Sequence, residues 1–237
     1  MYQYNSRVRY SEVNSEKKLT MPALLDCLQD CCTFQGEDLG IGVDYLAKEH
    51  VAWVLSSWEI EILRYPELGE KITVGTWPYK FKGFYGMRNF LIVDEKGEVL
   101  VKANSLWVFM DLERMRPTKV NETFIRIYEE RLEAPLEGNW GARKLVVPEN
   151  FEQKENVQVA RYHIDTNRHM NNSKYVQVAE EYLPQEFEVG GLRVEYKKSA
   201  VLGETLYPRV TVEADVVTVV LADEADKPCA VVEFLSK

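Results

Sequence analysis

The chain has 237 residues, with 29 Lys and Arg against 38 Asp and Glu, a formal net charge of −9. With 46% hydrophobic and 28% charged residues it has the composition of a folded protein, one large domain or two of about 120 residues, and wholesale disorder or a collagen-like architecture is excluded. The acidic balance opposes nonspecific attraction to nucleic acid or to an anionic membrane, so an anionic partner needs a local basic patch.

From the N-terminus, Met-Tyr-Gln-Tyr-Asn-Ser lacks the apolar stretch of a signal peptide, and the longest apolar runs, such as Val216–Ala222, fall far short of the roughly 18 residues of a spanning helix, so a cytoplasmic protein is expected. Thr20–Thr33 carries Leu24, Leu25, Leu28, Cys31 and Cys32 on one helical face, with Thr20 as a cap. The cysteines Cys27, Cys31, Cys32 and Cys229 read as reduced thiols, the first three packed along that face, because adjacent Cys31 and Cys32 are poorly placed for a disulfide framework. Gly36, Gly40 and Gly42 follow this helix instead of linking a strand to one, so they end it and make no dinucleotide fingerprint. The runs Val51–Leu63, Lys71–Trp77, Phe84–Val93 and Glu98–Met110 are rich in β-branched and aromatic residues and read as strands. Lys82-Gly83-Phe84-Tyr85-Gly86 lacks the full aromatic pattern and the basic context of an RNA-binding strand. A linker over 119–154 follows, with a surface helix at Asn121–Leu132 and a loop at Pro135–Trp140.

Beyond the linker the pattern returns. Asn172–Leu183 repeats the apolar spacing of the first helix, capped by Asn171 or Asn172 and stopped by Pro184. Strands follow at Leu192–Lys198, Thr205–Ala214, Val216–Ala222 and Cys229–Leu235, and the strand–turn Val194–Glu204 matches Ile60–Glu70 in register at Glu, Leu, Gly and Glu. A helix and a strand–turn recurring in the same order argue for tandem copies of one α+β fold, each an antiparallel sheet wrapped around a helix. The expected domains are 1–118 and 155–237.

The chemistry gathers before the second helix. Asp165, Asn167 and His169 stand two residues apart, so an extended backbone points all three the same way, and the helix start adds unpaired N–H groups for a developing oxyanion. His169 then takes a proton from water, Asn167 positions that water or a carbonyl, and Asp165 orients the site. The same residue types also serve as ordinary backbone caps in pre-helix loops. Copy one has Asn14, Glu16 and Lys18 at these places, so the repeat itself does not demand the trio. A metal set of His163, Asp165 and His169 is disfavoured, because such ligands normally come from separated strands, and no cofactor is expected.

Arg161–Tyr175, reading RYHIDTNRHMNNSKY, closely resembles the active-site segment of acyl-ACP thioesterases, and Trp53-Val54-Leu55, Arg64-Tyr65-Pro66, Gly86-Met87-Arg88-Asn89 and Ser105-Leu106-Trp107-Val108 resemble that family's N-terminal half. The resemblance implies two tandem hotdog domains. It also implies an acyl-chain-selecting N-terminal copy, Asp165, Asn167 and His169 as catalytic positions, and hydrolysis of medium- or long-chain acyl-ACP by water. The implied partner is an acyl carrier protein bearing an acyl-phosphopantetheine; no nucleic acid or membrane partner is implied, and a monomer or homodimer of bacterial type, without a plastid transit peptide, is expected. Acyl-CoA hydrolysis and a non-catalytic acyl-thioester-binding hotdog are the alternatives. One departure stands out: after Glu195-Tyr196-Lys197-Lys198 the plant pattern continues Glu-Cys, whereas this chain has Ser199-Ala200, leaving Ser199 as a supporting group that holds a water or as a packed strand serine. Glu195, on the same strand face but about 13 Å from Ser199, reads as structural.

Overall fold

The computed structural model describes residues 1–138 and 140–237, which divide into two compact units, Met1–Ser56 with Ile62–Trp140 and Ser57–Glu61 with Gly141–Lys237. In the first unit, strand β1 (Tyr2–Arg7) leads through a single 3-10 turn into helix α1 (Met21–Asp38), a short helix α2 (Val43–Lys48) and strand β2 (Val51–Ile62). Then come β3 (Lys71–Lys82), β4 (Tyr85–Asp94), β5 (Val99–Asp111), a two-residue β6 (Arg116–Pro117) and helix α3 (Glu122–Glu129). The sheet runs β1-β3-β4-β5-β2, and its β1–β3, β3–β4 and β4–β5 pairings are antiparallel, with α1 packed on β3 and β1.

The second unit adds two short strands, β7 (Glu152–Gln153) and β8 (Val157–Gln158), and another 3-10 turn before helix α4 (Asn172–Glu180). Strands β9 (Val189–Tyr196), β10 (Thr205–Val212), β11 (Val216–Ala222) and β12 (Pro228–Ser236) follow. They pair in the order β9-β12-β11-β10, the Ser57–Glu61 stretch of β2 lies antiparallel to β9, and α4 packs on β11 and β12.

The repeat extends to individual hydrogen bonds. Before α1, Asn14 N–H donates to the Lys18 carbonyl, Thr20 N–H to Glu12, and Leu19 N–H to Pro66. Before α4, Asp165 N–H donates to His169, Asn171 N–H to His163, and Met170 N–H to Ala200. The turns after β2 and β9 each place a glycine at positive φ, Gly69 at 81° and Gly203 at 87°, where a Cβ is strained. Each of these glycines donates to the strand entering its copy's pre-helix loop, at Val8 and Val159.

Several expectations shift at their edges. The first helix continues past Thr33 to Asp38, burying Gln35 and Gly36, and α4 stops at Glu180. Strand β3 passes Trp77 because Pro78 sits at a register shift, where its missing N–H costs no ladder bond. Strand β1 carries no strong apolar signal; it is an edge strand paired to β3, its Tyr4 hydroxyl donating to the Cys27 carbonyl at 3.2 Å. The helix expected on the surface at Asn121–Leu132 is capped by Asn121 but is not solvated: Phe124 and Tyr128, one turn apart, join Ile41, Phe109 and Val120 in a buried cluster. In the Pro135–Trp140 loop, Asn139 lies outside the described residues.

Phe124→Ala is expected to cost about 3–5 kcal/mol by opening a cavity in that cluster. Arg126→Ala, on the exposed side of α3 and paired with Glu122 at 3.5 Å, should change stability by less than about 0.5 kcal/mol. Urea unfolding of the two variants checks the difference.

Candidate active site

The pre-helix loop of the second copy is a closed turn, not an extended segment. Ile164 bridges Met170 across it, Arg168 N–H donates to the Asp165 carbonyl at 3.1 Å, and Arg168 itself has φ 63°. The alternation expected to aim Asp165, Asn167 and His169 together is therefore absent, because the backbone reverses between them. Asp165 instead holds the reversal: its Oδ1 accepts from Asn167 N–H at 2.8 Å and His169 N–H at 3.2 Å. Copy one builds the same turn with Asn14, whose Oδ1 accepts from Glu16 and Lys18 N–H, both at 3.0 Å, and with Lys17 at φ 63°. The first place of the trio is thus a structural requirement of the repeat, met by Asp or Asn, while Asn167 and His169 are peculiar to the second copy.

Most of the loop's amides are engaged within it. Besides the amides already named, Ser173 N–H donates to Asn171 Oδ1 at 2.9 Å and Lys174 N–H to the Asn171 carbonyl at 3.0 Å. The amides of Ser173 and Lys174 are therefore not among the unpaired N–H groups expected at the helix start, which keeps its dipole. Among the described residues the Asn167 side chain, exposed, and the His169 imidazole, half-buried, carry no hydrogen-bond partner. They are the polar side-chain groups of the trio left open to a ligand. The His169 backbone is fixed through Asp165 and by a bridge to Val201.

The neighbouring groups have settled roles. His163 is buried, its Nδ1 accepts from Ala160 N–H at 3.0 Å, and desolvation followed by Lys174 keeps its pKa below the ordinary value, so the ring is held neutral with Nδ1 taken. That occupancy removes it from the disfavoured metal set. Ser199 is exposed and lies beyond the end of β9, so the packed-strand reading and the shared face with Glu195 both fail. Glu195 accepts from Leu145 N–H at 3.0 Å and pairs with Lys197 at 2.8 Å. Ala200, where the plant pattern has cysteine, is buried, and its N–H donates to the Tyr175 hydroxyl at 2.7 Å. The four cysteines are free; burial raises the thiols of Cys27 and Cys229 to about 11 and of Cys31 to about 12, which keeps them protonated and weakly nucleophilic.

Two groups, the buried Arg88 and the half-buried Glu180, were given no role of their own from the sequence. In the first unit the buried Arg88 donates to Gln35 Oε1 at 2.5 Å and Thr76 Oγ1 at 3.1 Å and lies 5.5 Å from the Tyr128 ring centroid. A cation inside an apolar strand pattern has no periodic signature. In the second unit, burial and then Glu181 push Glu180, on the last turn of α4, up to about 7.

Two family models cover most of the chain. The acyl-ACP thioesterase N-terminal domain matches residues 1–128, and the acyl-ACP thioesterase C-terminal domain matches 148–221. The chain belongs to the acyl-ACP thioesterase family. It is 31% identical over 195 residues, 76% of its length, to the chloroplastic oleoyl-acyl carrier protein thioesterase 1 of Arabidopsis thaliana, and spans 54% of that protein, about half. Among solved structures it is similar to an acyl-ACP thioesterase from Bacteroides thetaiotaomicron, with TM-score 0.89 at 22% identity over 99% of this chain and 97% of that one. It is also similar to the 12:0-ACP thioesterase from Umbellularia californica, with TM-score 0.88 at 17% identity over 100% and 96%. These two likenesses show the fold, the tandem hotdog arrangement of this thioesterase family. No helix among the described residues is long and apolar enough to cross a membrane.

Because the folded-state pKa of Glu180 lies above its ordinary 4.5, the native protein binds the extra proton more tightly than the unfolded chain. The associated stability is complete below pH 4.5 and is lost as pH rises through about 7. Glu180→Gln should therefore melt higher than the parent at pH 8 and nearly with it at pH 5, as read by calorimetry.

Proposed function

We propose that this chain hydrolyses the thioester of medium- or long-chain acyl-ACP, releasing free fatty acid and carrier protein, with His169 as the general base. The observation that carries the reading is the inventory of the turn: its backbone amides are largely committed, while Asn167 and His169 present unengaged side chains in the copy that bears them. The His169 imidazole draws a proton from water as the water oxygen attacks the thioester carbon. Asn167, through its side-chain amide, orients the water or polarises the carbonyl. The tetrahedral intermediate then expels the thiolate, which takes the proton back from the imidazolium.

Asp165 contributes by fixing the backbone on either side of these two groups, and Ser199, solvent-facing one residue before Ala200, is a supporting group for a water. Water as nucleophile is supported by the cysteine chemistry: the protonated, buried thiols are poor attackers, and the position that is cysteine in the plant pattern is Ala200. Free thiols also fit a reducing, cytoplasmic setting. Chain-length selection is assigned to the first unit, and Leu28→Phe there should shift kcat/KM towards shorter acyl chains.

His169→Ala is expected to lower kcat on acyl-ACP by about 10²–10⁴-fold with the melting temperature little changed. Near-normal turnover by a folded variant would remove His169 from the mechanism. The two replacements of Asp165 separate its roles. Asp165→Asn should keep most activity, because Asn14 builds the same turn, whereas Asp165→Ala should lose both activity and about 1–2 kcal/mol of stability. A collapse of activity in a well-folded Asp165→Asn would instead demand the negative charge.

A further inference from the structure

The duplicated turn carries a charge difference that hydrolysis does not require. In copy one each paired cation has an acid at hand: Arg9 Nε lies 3.5 Å from Glu12 and Lys18 Nζ lies 2.7 Å from Glu16, with Glu67 bridging opposite Lys18. The structurally equivalent places in copy two are His163, Asn167 and Val201, so three carboxylates are gone from the same scaffold. Copy two adds Arg161 and keeps a cation at Arg168, both exposed and without an ion pair among the described residues. The carboxylate that remains in the turn, Asp165, is turned to backbone amides. Tyr162, which follows Arg161 in the chain, is 74% exposed, and Leu202, which follows the Val201 that bridges His169, is 54% exposed. In a chain of net charge −9, a place where acids are missing and arginines stand unpaired next to an exposed tyrosine has the make-up of a binding surface for an anionic protein.

We propose that the outer face of this turn docks an acidic carrier protein, with Arg161 and Arg168 binding its carboxylates and Tyr162 and Leu202 covering the apolar rest. The proposal rests on the thioesterase reading and assigns the side from which the substrate is delivered. It also separates cations that the sequence leaves equivalent. Lys197 and Lys198 are held by Glu195 and Asp223, each at 2.8 Å, and Lys174 donates to Gln177 at 2.9 Å, whereas the two arginines are open.

The test is the double charge reversal Arg161→Glu with Arg168→Glu, set against Arg126→Glu on α3 as a control and read on three substrates. Expected is a fall of about tenfold or more in kcat/KM for acyl-ACP, a flattened salt dependence, and unchanged kcat/KM for acyl-N-acetylcysteamine, which has no carrier. Holo-ACP binding, followed by fluorescence anisotropy without turnover, should weaken by a similar factor. An equal loss on acyl-N-acetylcysteamine would mean that the arginines hold the turn, and an equal loss on acyl-CoA that they grip the phosphate arm; either overturns the proposal. So does unchanged holo-ACP affinity, or a loss that follows a change in oligomeric state by sedimentation. Carrier binding through these arginines in a chain that hydrolyses no thioester would refute the proposed activity and support the docking surface.

Discussion

A single oxygen, Oδ1 of Asp165, accepts the N–H groups of Asn167 and His169, and the second copy's site is arranged around that pair of bonds. By satisfying two amides that a tight reversal would leave without partners, it lets the chain fold back so that Ile164 meets Met170. Met170 can then donate to Ala200, Asn171 becomes the cap, and α4 starts at Asn172, three residues after His169. In copy one the amide oxygen of Asn14 does the same with no chemistry attached, which shows that the bond belongs to the fold before it belongs to the site.

The consequence for mechanism is a division of labour. A carboxylate engaged with two backbone donors is a positioning device for the groups on either side of it, so in the mechanism we propose the acid–base work falls on an imidazole whose backbone is held and whose ring is not. Most of the surrounding amides are similarly engaged, with backbone carbonyls or with Asn171 Oδ1. In that proposal a reacting carbonyl or water is met by Asn167, the exposed side chain of the trio, and by the dipole of α4. Within the second unit, burial keeps His163 neutral and the Cys229 thiol protonated, which in the proposed mechanism leaves the role of base to His169.

The two copies also show how one backbone design tolerates different surfaces. Glu12, Glu16 and Glu67 in the first correspond to His163, Asn167 and Val201 in the second, while the hydrogen bonds among the main-chain atoms stay in register. Since those bonds involve main-chain atoms and one Asx oxygen, the other positions are free to carry ion pairs in one copy and the unengaged Asn167 and His169 side chains in the other.

The two amphipathic helices, most of the long strands and their duplication are legible in the residues alone, because apolar periodicity and turn residues are local signals that survive in either copy. The sequence also brought His169 and Asn167 forward through their motif. Tertiary structure decided what is not local. Strand β1 exists because β3 offers it a partner, α3 is buried because Phe109 and Ile41 meet Phe124, and Ser199 is exposed because β9 ends at Tyr196. The role of Asp165 lay between the two. Its spacing to Asn167 and His169 is the same in an extended strand and in a closed turn, and only the pairing of Ile164 with Met170 and of Met170 with Ala200 closes the turn and points that carboxylate at the backbone.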